Sequence, residues 1–529
     1  MVRAVASRIV PRQRVSKAMA KAIAAEDAMM KDLVQSADAP LSAARIPTRA
    51  GSDFRMANVG MRPMGNSRRV FLLNPYLDAE EMEGLAHRIH ALSRNEAINS
   101  ILIATDDEDD LAMNCLPRYV TEMNTPHSFG GFNMDYDPVP GSTWHVAGGY
   151  DPLKLAEMVG AADGSEEQAK YLMDNIRKLA LATKGEQSGG ENVTRIPVIT
   201  MPHGIVTDAG YALCMGGYVL ATRQTSFRIL NPSRGLSFDP VGFSYILPRL
   251  GWTHGQRSAK YPGCGMLLAL AGYEANCFDM VETDLATHLV SDSAALPLLE
   301  YNLSGIQPWN QQRLVEKDPR NYGERARRDT NAPFRNKTIA YLVEELSEHS
   351  SNPNNSFPLD YTAVNAEDPA LDTDHVPWDT GFFSSELVDY AAHFHSIFEK
   401  ETSLEGIMTR FRETAASQST TVEGQETSRI AKEIVSRMEQ QSPLALRVVY
   451  QLLKMGIQLN STMENCMQLE MNAQLNMIRQ SDFQEWAKHV RKHGGDEKKA
   501  PAFQGWKHKS VKEVTADEVD EILRATTSS

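Results

Sequence analysis

Cysteine is scarce. The 529 residues hold five, Cys115, Cys214, Cys264, Cys277 and Cys466, an odd number with no CxxC pair, which excludes a disulfide framework and a zinc knuckle and fits a reducing compartment. Long apolar runs are missing too. The longest, Gly263 to Gly272, is about half of the roughly 20 residues a bilayer-spanning helix needs, so neither a transmembrane helix nor a membrane partner is expected. GxGxxG, the P-loop and the GxSxG elbow are all absent, which removes the usual sequence support for a nucleotide-phosphate cradle or a serine hydrolase. Positive charge is in the minority: 54 Lys and Arg against 68 Asp and Glu give a net charge of -14. Such a body does not present a nucleic-acid groove as its main surface, because that binding rests on neutralising phosphates. Local basic segments remain open to RNA.

What is present fits a globular chain of one to three units, with 42% hydrophobic and 23% charged residues. Through residue 25 the chain carries Arg3, Arg8, Arg12, Arg14, Lys17 and Lys21 and no acid. That composition predicts a mitochondrial transit segment, hence the matrix, with a basic N-terminal arm as the alternative. Basic character continues to Arg69, so residues 1–69 are expected to lie outside the folded body. The remaining pattern divides into a core at 70–303, a polar insert at 304–379 and a helical region at 380–529.

Within the core, VFLLN from Val70 and SILIA from Ser100 read as strands, and Met82, Leu85, Ile89 and Leu92 recur at the spacing of a helix over Asp78 to Leu92. Arg195 to Thr222 reads as a buried strand, a glycine-bearing turn and a helix of small residues, followed by a strand from Ser226. This order predicts an α/β core. In the C-terminal third, Ser442-Pro443 should cap a helix, Ser461-x-x-Glu464 has capping-box spacing, and Met467, Met471, Leu475 and Ile478 mark one buried face. The acidic run Asp106 to Asp110 reads as a solvated loop, and neither His393-Phe394-His395 nor His489-x3-His493 is completed by a cysteine or an ordered carboxylate set, so no metal and no cofactor are expected.

Three segments in fixed order carry a resemblance: WHVAGGYDPLKL from Trp144, MPHGIVTDAGYAL from Met201 and NPSRGLSFDPVGFSYILPRLG from Asn231. With GMLLALAGYEAN from Gly265, LATHLV from Leu285 and the tail DFQEWAKHV and KEVTADEVDEI, the chain resembles the crotonase, or enoyl-CoA hydratase/isomerase, superfamily in its 3-hydroxyisobutyryl-CoA hydrolase branch. The resemblance implies a crotonase-type spiral of strand-strand-helix repeats with a helical C-terminal region. It implies one oxyanion-stabilising turn at Ala147, Gly148 and Gly149 and a second at Asp208, Ala209 and Gly210. The second departs from the family's glycine-rich form, and an anionic Asp208 beside it would oppose a developing oxyanion. Where the branch places a Glu after a proline, this chain has Pro232 and Ser233, and the family's later Asp is matched only by Asp239, transposed with Pro240. No catalytic residue is therefore expected.

Two functions follow from the resemblance. In the first, the chain is a catalytically degenerate crotonase shell recruited to the small subunit of the mitochondrial ribosome, as hydrolase-like homologues are, with ribosomal proteins and ribosomal RNA as partners. The RNA would meet local basic segments, with Arg49, Arg55, Arg62, Arg68 and Arg69 in the arm and Arg325, Arg327 and Arg328 in the insert as the candidates. In the second, it is an active mitochondrial 3-hydroxyisobutyryl-CoA hydrolase of valine catabolism with acyl-CoA as substrate. An acyl-CoA-binding scaffold away from the ribosome is a third reading.

Overall fold

The structure is a computed structural model that describes residues 45–47, 53–55, 59–72, 76–93, 95, 98–105, 149–160, 165–185, 196–202, 204–222, 225–250, 263–290, 295–306, 339, 342–343, 346–350, 386–417, 420–458, 461–497 and 499–524. Twelve strands are named here in chain order: β1 (Arg45–Pro47), β2 (Asp53–Arg55), β3 (Val59–Met64), β4 (Ser67–Leu72), β5 (Ile101–Thr105), β6 (Val198–Met201), β7 (Ile205–Thr207), β8 (Tyr218–Ala221), β9 (Ser226–Arg228), β10 (Glu274–Ala275), β11 (His288–Val290) and β12 (Ser347–Ser350). From β6 to β9 successive strands alternate between two sheets. β6, β8 and β11 join a seven-stranded sheet in the order β12-β11-β8-β6-β5-β4-β3, while β7, β9 and β10 build a three-stranded sheet in the order β10-β9-β7. The large sheet is parallel from β4 to β11 and takes an antiparallel strand at each edge. This stepping from large sheet to small sheet and on to a helix is the expected spiral.

The reason for the strands lies in their two-faced burial. All four residues of β6 are buried, and a parallel strand covered on both faces reads as a continuous apolar run. Odd and even positions then enter different cores. Ile101, Ile103, Val198, Val219 and Ala221 face the main core with the helices Ala79–Ser93 and Ser165–Lys184. Leu102, Ala104, Ile199, Met201 and Leu220 face a smaller core closed by Leu299 and Leu303 of the helix Ala295–Gly305 and by Ile339 and Val343. The Ala79–Ser93 helix begins at a reciprocal cap in which Glu81 N-H donates to Asp78 Oδ1 (2.8 Å) and Asp78 N-H to Glu81 Oε2 (3.0 Å).

Four sequence expectations need correction. The fold does not start at Val70, because β3 and β4 form a hairpin whose partners run from Val59↔Leu72 to Met64↔Ser67 at the edge of the large sheet. Arg68 and Arg69 are therefore not RNA-facing. Arg69 has no exposed surface, its Nε lies 2.6 Å from Glu300 Oε1, and its guanidinium also donates to the carbonyls of Val70 and Ala104. Arg68 is buried and donates to the carbonyls of Ser67 and Gly65. Charge along a strand gave no warning, since alternation turns Arg69 inward while Val70 faces the opposite core. The insert at 304–379 is not wholly polar surface, because Ile339, Val343 and β12 close the second core and the sheet edge. The small-residue helix is present as expected, as the 3-10 helix Asp208–Cys214. Finally, the cap expected at Ser461 is one residue later: Thr462 accepts from Asn465 N-H, while Ser461 Oγ donates to the Gly456 carbonyl that ends the preceding helix.

The C-terminal region is helical, with Pro443–Gly456, Met463–Ile478 and Ser481–Lys492 packed on the core. Ser442 caps the first of these by accepting from Ala445 N-H, as expected. Met467, Met471, Leu475 and Ile478 are all buried.

Candidate functional site

The two turns that the resemblance pairs do meet in space. Gly149 makes a parallel bridge with Tyr76, and its carbonyl accepts from Leu77 N-H at 2.8 Å. Its φ of 76° favours glycine, and a Cβ there would stand 2.7 Å from Ala209 Cβ and 2.9 Å from Gly210 N. Gly149 is thus packed directly against Ala209 and Gly210. Ala147 and Gly148 lie outside the described residues.

Asp208 opens the 3-10 helix at φ 42°, a conformation an aspartate tolerates better than a branched residue would. Its side chain is committed elsewhere: Oδ1 accepts from the backbone N-H of Leu230 (2.9 Å) and Asn231 (3.1 Å), and Oδ2 lies 3.1 Å from Arg234 Nη1. Arg234 also reaches Glu497 at 2.8 Å. Burial lifts the Asp208 carboxyl above the ordinary range, against the lowering effect of the Arg234 guanidinium. Asp208 therefore serves as a strut between the second turn and the 231–234 turn, and its charge has a partner.

Asp239 is the centre of a buried polar network. Its Oδ1 accepts from Tyr150 Oη (2.9 Å) and Gln474 Nε2 (2.9 Å), and its Oδ2 from Asn231 Nδ2 (3.0 Å). Asp239 and Gln474 have no exposed surface, and Asn231 and Tyr150 have almost none. Burial, with the charge of Asp208 adding to it, pushes the Asp239 carboxyl up to about 7 even though the three donors oppose the shift. The phenol of Tyr150 is pushed well above its ordinary value by burial first and by Asp239 next. Pro232 and Ser233 sit in the 3-10 turn Asn231–Arg234, where Pro232 is buried and its carbonyl accepts from Ser442 N-H, while Ser233 Oγ donates to the Leu230 carbonyl at 2.7 Å. That is a turn contact. It is not a nucleophile-base pair.

Sequence reasoning missed the C-terminal contribution. Glu470 and Gln474 stand four apart on the helix Met463–Ile478, the (i, i+4) spacing that puts them on one face. Gln474 Oε1 accepts from Ser237 N-H and Oγ, and Glu470 accepts from Gly242 N-H (2.7 Å), Ser244 N-H (2.6 Å) and Ser244 Oγ (2.7 Å). The signal was present in the sequence as two polar residues interrupting the methionine face. Burial pushes the Glu470 carboxyl up to about 8, more than its three donors lower it. A carboxyl raised in this way keeps its proton in the fold while the unfolded chain loses it, so its effect is to reduce stability as pH climbs from about 4 to about 8. Stability should accordingly fall across that window, and Glu470→Gln should flatten part of the decline in denaturant midpoints measured at pH 5.5 and 8. Parallel wild-type and variant profiles would contradict it.

Among the described residues no group of three His, Cys, Asp or Glu forms a metal-ligand set. The histidine pairs are engaged locally: His393 Nε2 lies 2.8 Å from Thr427 Oγ1, and His489 Nε2 2.9 Å from the Pro501 carbonyl.

A two-sheet spiral with two such turns abutting at the head of a short helix defines a crotonase-type fold, and known proteins bear this out. The profile of the enoyl-CoA hydratase/isomerase family matches residues 192–366 and 334–523, and the chain belongs to that family. A carnitinyl-CoA dehydratase from Mycobacterium thermoresistibile is similar in structure with a TM-score of 0.54 at 14% identity, over 89% of this chain and 97% of that one. An enoyl-CoA hydratase from Rhodobacter sphaeroides 2.4.1 follows with a TM-score of 0.52 at 14% identity, over 89% and 98%. At that identity the likeness is one of fold. In sequence, the mitochondrial 3-hydroxyisobutyryl-CoA hydrolase of Gallus gallus is 32% identical over 121 residues, which is 23% of this chain and 28% of the relative.

Proposed function

We propose that this chain is a catalytically inactive crotonase-fold protein that serves as a structural component of the small subunit of the mitochondrial ribosome. The observation that carries the inactive half is the state of Asp239: the one acid near the family's position has no exposed surface, and both of its oxygens are held by protein side chains. A hydrolytic acid must reach a thioester and a water. Here the groups that surround it bind the C-terminal helix to the core, so the former reaction centre works as an internal clamp.

The ribosomal half rests on the resemblance and on charge placement. In a chain of net charge -14, RNA can be met only through local basic segments. Arg68 and Arg69 no longer belong among them. Arg55 lies in β2 and Arg62 in β3, and both remain candidates; Arg49, Arg325, Arg327 and Arg328 also remain candidates and lie outside the described residues. A mitochondrial location is supported by the transit-like opening segment and by the mitochondrial relative in Gallus gallus.

That same relative favours a second reading, an active mitochondrial 3-hydroxyisobutyryl-CoA hydrolase for which acyl-CoA is the substrate. Gradient sedimentation of mitochondrial extract at low and high salt separates the two. Under our reading the protein stays with the small subunit at low salt, and replacing Arg325, Arg327 and Arg328 together with Ala weakens the association and its salt dependence. A protein that remains near the top of the gradient at both salt concentrations would overturn it.

A further inference from the structure

A cavity lies apart from the Asp239 network. It measures about 480 Å³ and is lined by Arg228 at the end of β9, Ala271, and one face of the helix Val422–Gln440 with Gln441 beyond its end. Four cations, Arg228, Arg429, Lys432 and Arg437, meet a single lining carboxylate, Glu433. For a protein with an acidic excess this is a concentrated inversion of sign.

The internal partners do not use up that charge. Glu433 is shared, 2.9 Å from Arg437 and 3.5 Å from Arg429. Arg437 is also fixed in place by the ring of Tyr273, 4.4 Å from its guanidinium carbon, and Arg429 leans on Glu426 at the outer rim. Arg228 is anchored by Nε, which donates to the Gly272 carbonyl at 3.1 Å. Its two terminal amino groups have no hydrogen-bond partner among the described residues, and the same holds for the Lys432 ammonium. At the floor, Gln441 is 6% exposed, and its Oε1 is buried without a partner. Buried side-chain amides are normally hydrogen-bonded, and which end of such an amide is oxygen and which nitrogen is set by whatever it binds. A forked guanidinium held by one edge and a free ammonium, lining one cavity, are donors that a tetrahedral oxyanion takes up, and the Gln441 amide adds a third where its nitrogen rather than its oxygen faces the ligand.

We propose that this cavity binds a phosphate group, carried either by a small nucleotide or by an RNA strand. Arg228 would give the bidentate contact, Lys432 the point charge at the mouth, and the Gln441 amide the contact at the floor. Arg429 and Arg437 keep Glu433 neutralised so that it does not repel the ligand. The proposal does not depend on ribosome membership, because a phosphate site is compatible with either function above.

The test uses the purified full chain with inorganic pyrophosphate and with a ten-nucleotide oligouridine RNA, titrated separately by calorimetry at several salt concentrations. Lys432→Gln, on an exposed helix face, should leave the fold unchanged by circular dichroism. It should weaken binding about tenfold, the size expected for one charge-assisted contact. Arg228→Gln should weaken binding at least as much. If pyrophosphate binds and loses affinity in the variants, the source is a small phosphate ligand. If only the RNA binds, and the slope of its affinity with salt falls by about 0.7 in Lys432→Gln, the source is a single-stranded backbone. Failure of both probes to bind, or binding that neither variant changes, would overturn the proposal.

Discussion

Replacing Arg234 with Met should destabilise the fold by about 3–5 kcal/mol, the range for removing one partner of a buried ion pair and leaving the other charge unpaired. Arg234 is buried, reaches Asp208 at 3.1 Å and Glu497 at 2.8 Å, and has its guanidinium carbon 5.9 Å from the centroid of the Trp486 ring. The two carboxylates should respond differently. Glu497 keeps 33% of its side chain exposed and can recover water, whereas Asp208 keeps only 4% and cannot. The loss should therefore come mainly from Asp208, and the double variant Asp208→Asn with Arg234→Met should recover a clear part of it in a double-mutant cycle read from denaturant midpoints. A single-variant loss below about 1 kcal/mol would place the pair in solvent and remove the strut between the second turn and the 231–234 turn.

The architecture was legible where burial imposes a period. The helix over Asp78 to Leu92 appears as Ala79–Ser93, and the strand from Ser100 as β5 at Ile101–Thr105, because apolar residues spaced for a core report their own geometry. Charge misled where that geometry overrode it. Arg68 and Arg69 look like an RNA-binding arm only until the β3-β4 hairpin is formed, after which the pleat turns Arg69 toward Glu300, 231 residues further along the chain. No local pattern encodes that partner.

The candidate site shows the same division. The order of the turns was readable from AGG at 147–149 and TDAG at 207–210, and the structure packs Gly149 against Ala209 and Gly210. What could not be read was the use made of Asp208 and Asp239. Asp208 was expected beside an oxyanion and instead bonds to Arg234 and to the backbone at 230–231; Asp239 was expected as a displaced acid and instead anchors Tyr150, Asn231 and Gln474. Those pairings join residues up to 235 positions apart, as between Gln474 and Asp239. Their one local trace is the extra residue Tyr150 after the AGG turn, which supplies the hydroxyl that donates to Asp239.

Hydrolysis of 3-hydroxyisobutyryl-CoA by the purified full chain is the most direct test of the claim that this reaction centre has become an internal clamp. The claim has a sharp quantitative form. Working enzymes turn over at about 1 per second or faster, and a carboxylate with no exposed surface, bonded to three side chains and set beside a turn with Pro232 and Ser233 where the family has its acid, offers no group that can meet substrate and water together. Thioester cleavage followed by release of free thiol should match the no-enzyme control, and Asp239→Asn, which preserves shape and keeps one of the two accepting oxygens, should leave that rate unchanged. Turnover of about 1 per second or more that disappears in Asp239→Asn would contradict the account and assign Asp239 the catalytic role.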